Sequence, residues 1–368
     1  MTKRKAIVIG NNHDNTLNVI RALGQAGYDP VVLLMSPDDK NYILKSRYVN
    51  TFYIVSNEVE AKEFLLSKSE LWGLPAITTY DKVASVLDEE FSSLSQHYKL
   101  PNCNERNLGI VKEMDKARMN DVAKIAGMNI PQTTSITQST FNPNFVNNFT
   151  FPVILKPETS ANGSKEDFRI CSDLESLKTE ISLLNPSASF LIQEFIPNDE
   201  VLLVAGCVTA DGKNHAYGHI NKSKHGKHDS NLGMNSFGYL TSEPVSAEQI
   251  NKYLSLIGYT GPYSFEFIRH DNKIYFIEVN LRTDGLYFFY TKAGVNIPAL
   301  WMDSFYGNNI TLSPAPTKVY GMCEFQYIKN FVRPKNILSN LKDLLSTDVF
   351  SIASLKDPKP FLYKFIYH

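Results

Sequence analysis

The chain has 368 residues, 43% of them apolar and 20% charged, an ordinary globular composition with room for two or three packed domains. Its 37 basic and 38 acidic residues nearly cancel, which excludes the broad basic field that draws nucleic acid or anionic lipid. The apolar run after the basic start, residues 6–9, is too short for a signal-peptide core or a membrane span. Cys103, Cys171, Cys207 and Cys323 follow no pairing or metal-ligand spacing, which fits reduced, buried thiols in a cytoplasmic protein.

The first hundred residues alternate short strands and helices. Residues 6–9 form an apolar strand, 17–26 have helical spacing and stop at Gly27, and further strands are expected at 30–35, 51–55 and 76–79. This is the order of a parallel, Rossmann-like sheet. The loop after the first strand, Gly10 to Thr16, lacks the second and third glycines of a dinucleotide fingerprint, so NAD or FAD is not expected there. Such a polar loop at the carboxyl end of a sheet suits a small substrate instead. One long helix is expected over 105–126, stopped by Gly127. The pattern then turns β-rich, with strands at 151–157, 168–171, 190–196, 201–208 and 215–220 and a helix at 173–184. The run 221–228 reads as a polar, basic loop, and the tail after 312 shows no repeat and no chemistry.

Two alternating segments, 263–268 and 274–280, carry the chemistry. Paired as a hairpin with Glu266 opposite Glu278, they set Phe265 against Val279 and Phe267 against Ile277 on one face. Ser264, Asn280 and both glutamates then share the other, and a one-residue slip would mix the two sets. A turn of three residues, Asp271 to Lys273, is expected to close it. Facing carboxylates repel unless a cation lies between them. Two carboxylates and an amide oxygen form a hard-oxygen Mg²⁺ site, and an exposed acidic hairpin is the alternative. Continued alternation brings Arg282 to the same face, where a fixed cation suits an oxyanion or a phosphorylated carboxylate.

With these residues the sequence resembles the ATP-grasp superfamily. The resemblance implies that Glu266, Glu278 and Asn280 hold magnesium, with manganese as an alternative ion, and that Arg282 contacts the acyl phosphate. It further implies that Lys116 and Lys156 bind ATP phosphates, aided by the small-residue loop containing Ser160, Gly163 and Ser164. Gln193, Glu194 and Ile196 lie at the adenine hinge, and Glu200 has the spacing of the ribose ligand. Lys222, Lys224 and His225 are candidates for the γ-phosphate and acceptor. The loop after the first strand and residues 46–49 resemble a subgroup of carboxylate–amine ligases that includes D-aspartate ligase.

The expected architecture is α/β plus α+β: a Rossmann-like domain over 1–102 and a two-lobed ATP-grasp domain over 103–311. Its lid is expected at about 131–197, its larger lobe at 198–311, and an extension of unassigned role at 312–368. The implied reaction joins a small-molecule carboxylate to an amine through an acyl phosphate, with ATP consumed and neither nucleic acid nor membrane as partner. A homodimer is left open. A bicarbonate-activating carboxylase would share the ATP site, but the short chain and the lack of that family's basic substrate motif count against it. A non-catalytic ATP-binding protein would be expected to have lost a metal ligand or a lysine.

Overall fold

The computed structural model describes residues 4–158, 168–186, 188–197, 200–225, 235–307, 318–333 and 336–367. Near the amino terminus β1 (Lys5–Asn11), β2 (Asp29–Met35), β3 (Thr51–Val55) and β4 (Ala76–Thr78) form a parallel sheet in the order β3-β2-β1-β4. β1, β2 and β4 are buried on both faces, which explains their unbroken apolar runs. β1 ends at a close crossing. A Cβ on Gly10 would lie 2.3 Å from the Thr16 hydroxyl and 2.4 Å from that of Thr79, so only glycine fits there. The helix Asp14–Gln25 follows at once, its first turn capped by His13, whose ring accepts from the Asn15 N–H.

The single helix expected over 105–126 is two, Gly109–Glu113 and Lys116–Ala126. Asp115 breaks it by taking an extended conformation and accepting from the Arg118 N–H at 2.7 Å, an N-cap inside what reads as one helical run. β5 (Asn102–Cys103) precedes them and pairs with the larger sheet described below. A four-stranded antiparallel sheet comes next, β6 (Thr133–Thr137), β7 (Val153–Pro157), β8 (Arg169–Cys171) and β9 (Ser189–Glu194), ordered β6-β9-β7-β8. The helix Leu174–Ser182 covers one face through Leu177 and Ile181, against Val153, Leu155 and Ile192. The Thr-rich β6 lacks apolar alternation, which is why it is not expected from the sequence.

The third sheet has nine strands. Its members are β10 (Glu200–Val208), β11 (Asn214–Ala216), β12 (His219–His225), β13 (Asn235–Thr241), β14 (Tyr259–His270), β15 (Lys273–Asn280), β16 (Lys318–Met322) and β17 (Val349–Phe350), with β5 at β14. The main path runs β15-β14-β10-β12-β13-β16-β17. Two expectations are corrected here. The strand expected at 215–220 is split near Gly218, which has a positive φ of 53°. The loop expected at 221–228 is strand as far as His225, with 226–228 outside the described residues.

In the tail, whose role is unassigned from the sequence, β16 and β17 extend this sheet. The tail is also pinned to the first domain: buried Arg21 donates to the Asp357 carboxylate at 2.9 Å, and Lys364 to Asp14 at 2.8 Å. One face of the large sheet packs on the helices Lys116–Ala126 and Ala247–Leu256 through Phe265, Phe267, Phe276 and Val279. The other carries the helices Tyr287–Lys292 and Ile297–Asp303, whose Phe289 and Trp301 also join the core of helix Asp14–Gln25. Each such buried aromatic contributes about 1.5–3 kcal/mol. The first domain is thereby held with the carboxyl ends of β1 and β4 facing the β14–β15 hairpin.

Candidate functional site

A cavity of about 400 Å³ lies where these parts meet. Its floor is the β14–β15 hairpin. Glu266 faces Glu278, Ser264 faces Asn280 and Phe265 faces Val279, the expected register. Beyond Glu266 the expectation fails: Phe267 pairs with Phe276, not Ile277, and the turn has two residues, not three. Ile277 is the surplus residue of a bulge, while Asp271 and Asn272, with φ of 47° and 60°, form the tight turn that favours such residues. Strict alternation counted back from Glu278 cannot register a bulge. The bulge lets Phe276 and Val279, an odd interval apart, both face the core.

The charges around the floor are paired with one exception. Lys222 on β12 places its ammonium 2.8 Å from Glu266 Oε1. Arg282 donates from Nε and Nη2 to both oxygens of Asp81, at 2.9 and 3.0 Å, and from Nη2 to Asn280 Oδ1 at 3.1 Å. Burial opposes the guanidinium charge, but the Asp81 carboxylate outweighs it, with Asp284 and Glu278 adding, so its pKa rises. Glu278 has no hydrogen-bond or ion-pair partner among the described residues. Lys116 borders the cavity, donating to the Pro157 carbonyl at 3.0 Å and lying 5.4 Å from the centre of the Phe168 ring.

Lys156 lies behind the wall. It is buried and donates to Gln193 Oε1 at 2.8 Å; burial first, then the Lys116 charge, push its pKa down to about 8 against the pull of Glu278. Gln193 Nε2 donates in turn to the Thr133 hydroxyl, so both ends of the side chain expected at adenine are engaged. Glu194 and Ile196 do not border the cavity either. Glu200, expected at a ribose, is ion-paired with Arg269 on the neighbouring strand. Lys224, a phosphate candidate, directs its ammonium to Asp343 and Tyr327 of the tail. His225 ends β12, and Ser160, Gly163 and Ser164 lie outside the described residues.

No family model matches the chain, and no curated protein matches it. Solved structures do. N5-carboxyaminoimidazole ribonucleotide synthetase from Thermus thermophilus superposes with a TM-score of 0.67 at 14% identity, over 85% of this chain and 82% of that one. The biotin carboxylase domain of Hydrogenobacter thermophilus 2-oxoglutarate carboxylase, with MgADP and bicarbonate, gives 0.64 at 19% identity, over 85% and 73%. L-Amino acid ligase from Bacillus licheniformis gives 0.63 at 13% identity, over 83% and 75%. The chain has the ATP-grasp fold.

At these identities the likeness carries the fold alone, and the chemistry has to come from this chain's own cavity. Its donor set fits a hard cation beside a polyanion: two facing carboxylates and an amide, with the ammonium groups of Lys116 and Lys222 on the same walls. Asn235, buried on the cavity wall, has neither amide atom bonded among the described residues. Sequence reasoning missed His13, Asn15, Asp81, Asp284, Cys323, Gln326 and Ser351, which all border the cavity. Asp284 had a signal, since it lies one further alternation beyond Glu278, Asn280 and Arg282. Gln326 and Ser351 had none, because only the crossing of the tail brings them near.

Proposed function

We propose that this chain is an ATP-dependent carboxylate–amine ligase that works through an acyl phosphate. The observation that supports it best is the meeting, in one cavity, of Lys116, Lys222, Glu266, Glu278, Asn280 and Arg282 with the polar loop that ends β1. Mg²⁺, or Mn²⁺ in its place, held by Glu266, Glu278 and Asn280, would neutralise charge on the ATP phosphates. Lys116 and Lys156 offset the rest, and phosphate binding restores the charge that burial disfavours on Lys156. The substrate carboxylate attacks the γ-phosphorus and expels ADP, and an amine then displaces phosphate from the acyl phosphate and loses a proton. Arg282, kept protonated by Asp81, steadies the developing oxyanion. No side chain has to act as nucleophile, so positioning and charge carry the rate.

ADP release measured across carboxylates, acceptor amines and bicarbonate, with Mg²⁺ and with Mn²⁺, tests this. Turnover that needs both an organic acid and an amine supports the ligase. Turnover with bicarbonate alone would transfer the site to carboxylase chemistry, and ADP release with none of them would remove the proposal.

A further inference from the structure

Beyond the residues proposed for metal and phosphate, the cavity reaches Asn11, His13, Asp14 and Asn15 after β1, and Asp284 and Gly285 after β15. Asn15, 2% exposed, donates through Nδ2 to the carbonyls of Thr79 at 2.6 Å and Thr283 at 2.9 Å. Carbonyls only accept, so the orientation of this amide is fixed by its partners. Its Oδ1 is then left with no donor among the described residues, as is the Oδ1 of Asn11.

The carboxylates here differ in how they are answered. Asp14 has Lys364 at 2.8 Å, and Asp81 has both arms of Arg282. Among the described residues Asp284, 9% exposed, accepts from the Leu286 N–H at 2.8 Å and the Ser264 hydroxyl at 3.3 Å, and Arg282 stands 3.9 Å away. Among the described residues it is the cavity carboxylate outside the Glu266–Glu278 pair whose cation stands farthest off, held by the long Arg282 contact alone. Next to it Gly285 leaves space: a Cβ there would meet only His13 Cε1, at 3.7 Å.

Resting on the ligase reading above, we infer that Asp284 receives the protonated amino group of the acid that is activated. The substrate class is therefore the α-amino acids. Amino and carboxyl groups of an α-amino acid share one carbon, so an ammonium at Asp284 leaves the carboxylate beside Arg282, the neighbour at 3.9 Å. An amino group further along the chain of the acid would carry the carboxylate past the phosphate side. Asp284 is a specificity residue in this scheme, because it binds the part of the substrate that does not react.

The test is acyl-phosphate trapping with hydroxylamine, which needs no knowledge of the natural acceptor. Alanine and phenylalanine, as members of an amino-acid panel, are compared with their des-amino acids in the presence of ATP and Mg²⁺. The expected result is hydroxamate from amino acids, with kcat/KM about 10- to 100-fold above the des-amino partner, the size of one hydrogen bond to a charged group. Asp284→Asn keeps an acceptor for the Leu286 N–H and should erase most of that preference by raising KM. Gly285→Ala, which meets nothing closer than 3.7 Å and so should fold, is the second variant. It should raise KM for amino acids and leave KM for ATP in place. Equal use of des-amino acids, or an undiminished preference in both variants, overturns the inference and leaves the ligase reading standing. No hydroxamate from any acid, together with no rise in Tm on adding ATP and Mg²⁺, removes the ligase reading and the inference with it.

Discussion

Lys156 should make nucleotide binding consume protons. Its ammonium is buried beside a neutral amide and near the Lys116 charge, which together hold its pKa at about 8 in place of the ordinary 10.5. A bound polyphosphate reverses that balance and returns the group towards its ordinary value. Uptake should then be about a tenth of a proton per ATP at pH 7, about a half at pH 8 and about nine tenths at pH 9. Calorimetry in two buffers of different ionisation enthalpy reads this number directly, and Lys156→Met should flatten its pH dependence. The same shift acts on the free protein with a definite sign. Because the folded pKa is lowered, the unfolded chain binds more protons between pH 8 and 10.5, so stability rises with pH across that window. Uptake that is constant from pH 7 to 9, or unchanged in Lys156→Met, would refute the placement of this lysine against the phosphates.

The remaining predictions address single contacts. Glu278→Gln should leave apo stability unchanged or raise it by up to about 1 kcal/mol, since it removes one of two facing carboxylates; metal-dependent turnover should fall at least about 100-fold. A variant that unfolds yet keeps its activity per folded molecule would make Glu278 structural. Lys222→Ala should lose most of the Tm rise produced by ATP and Mg²⁺, whereas Lys224→Ala should keep it while losing about 1 kcal/mol of stability, read by urea titration. Asp357→Ala should cost about 3–5 kcal/mol, because it strands the buried Arg21 charge; a loss below about 1 kcal/mol would show that the tail is not fastened there. Arg282→Lys should weaken turnover and lower Tm together, because a lysine cannot grip both oxygens of Asp81.

What could be read from the sequence follows from how local each signal is. The strands β1 to β4 are legible because each is a short apolar run between turn residues, and a parallel sheet buries both faces of such runs. Glu266, Glu278 and Asn280 are legible because period-two alternation carries them to one face whatever the rest of the molecule does. Long-range choices are not legible in this way. Lys224 reads like Lys222, and only the tail, far along the chain, takes one ammonium to Asp343 while the other reaches Glu266. The break at Asp115 escapes for a different reason: an aspartate followed by a helical run is equally at home on an exposed helix face, and its extended backbone decides the matter.

The bulge at Ile277 separates two lengths that a regular hairpin would tie together. Between paired strands, losing one residue ordinarily turns every later side chain to the opposite face. Here the pairs on either side of Ile277 already agree in facing, Phe267 with Phe276 and Glu266 with Glu278. Excising Ile277 would therefore convert the hairpin to an unbroken ladder without exchanging core for cavity. Excising Tyr275 or Val279 would not. Chain-length variation in this hairpin is thus tolerable at one position in the middle of a strand, where sequence comparison would ordinarily expect gaps only in the turn, and two chains differing there could still present the same pair of carboxylates.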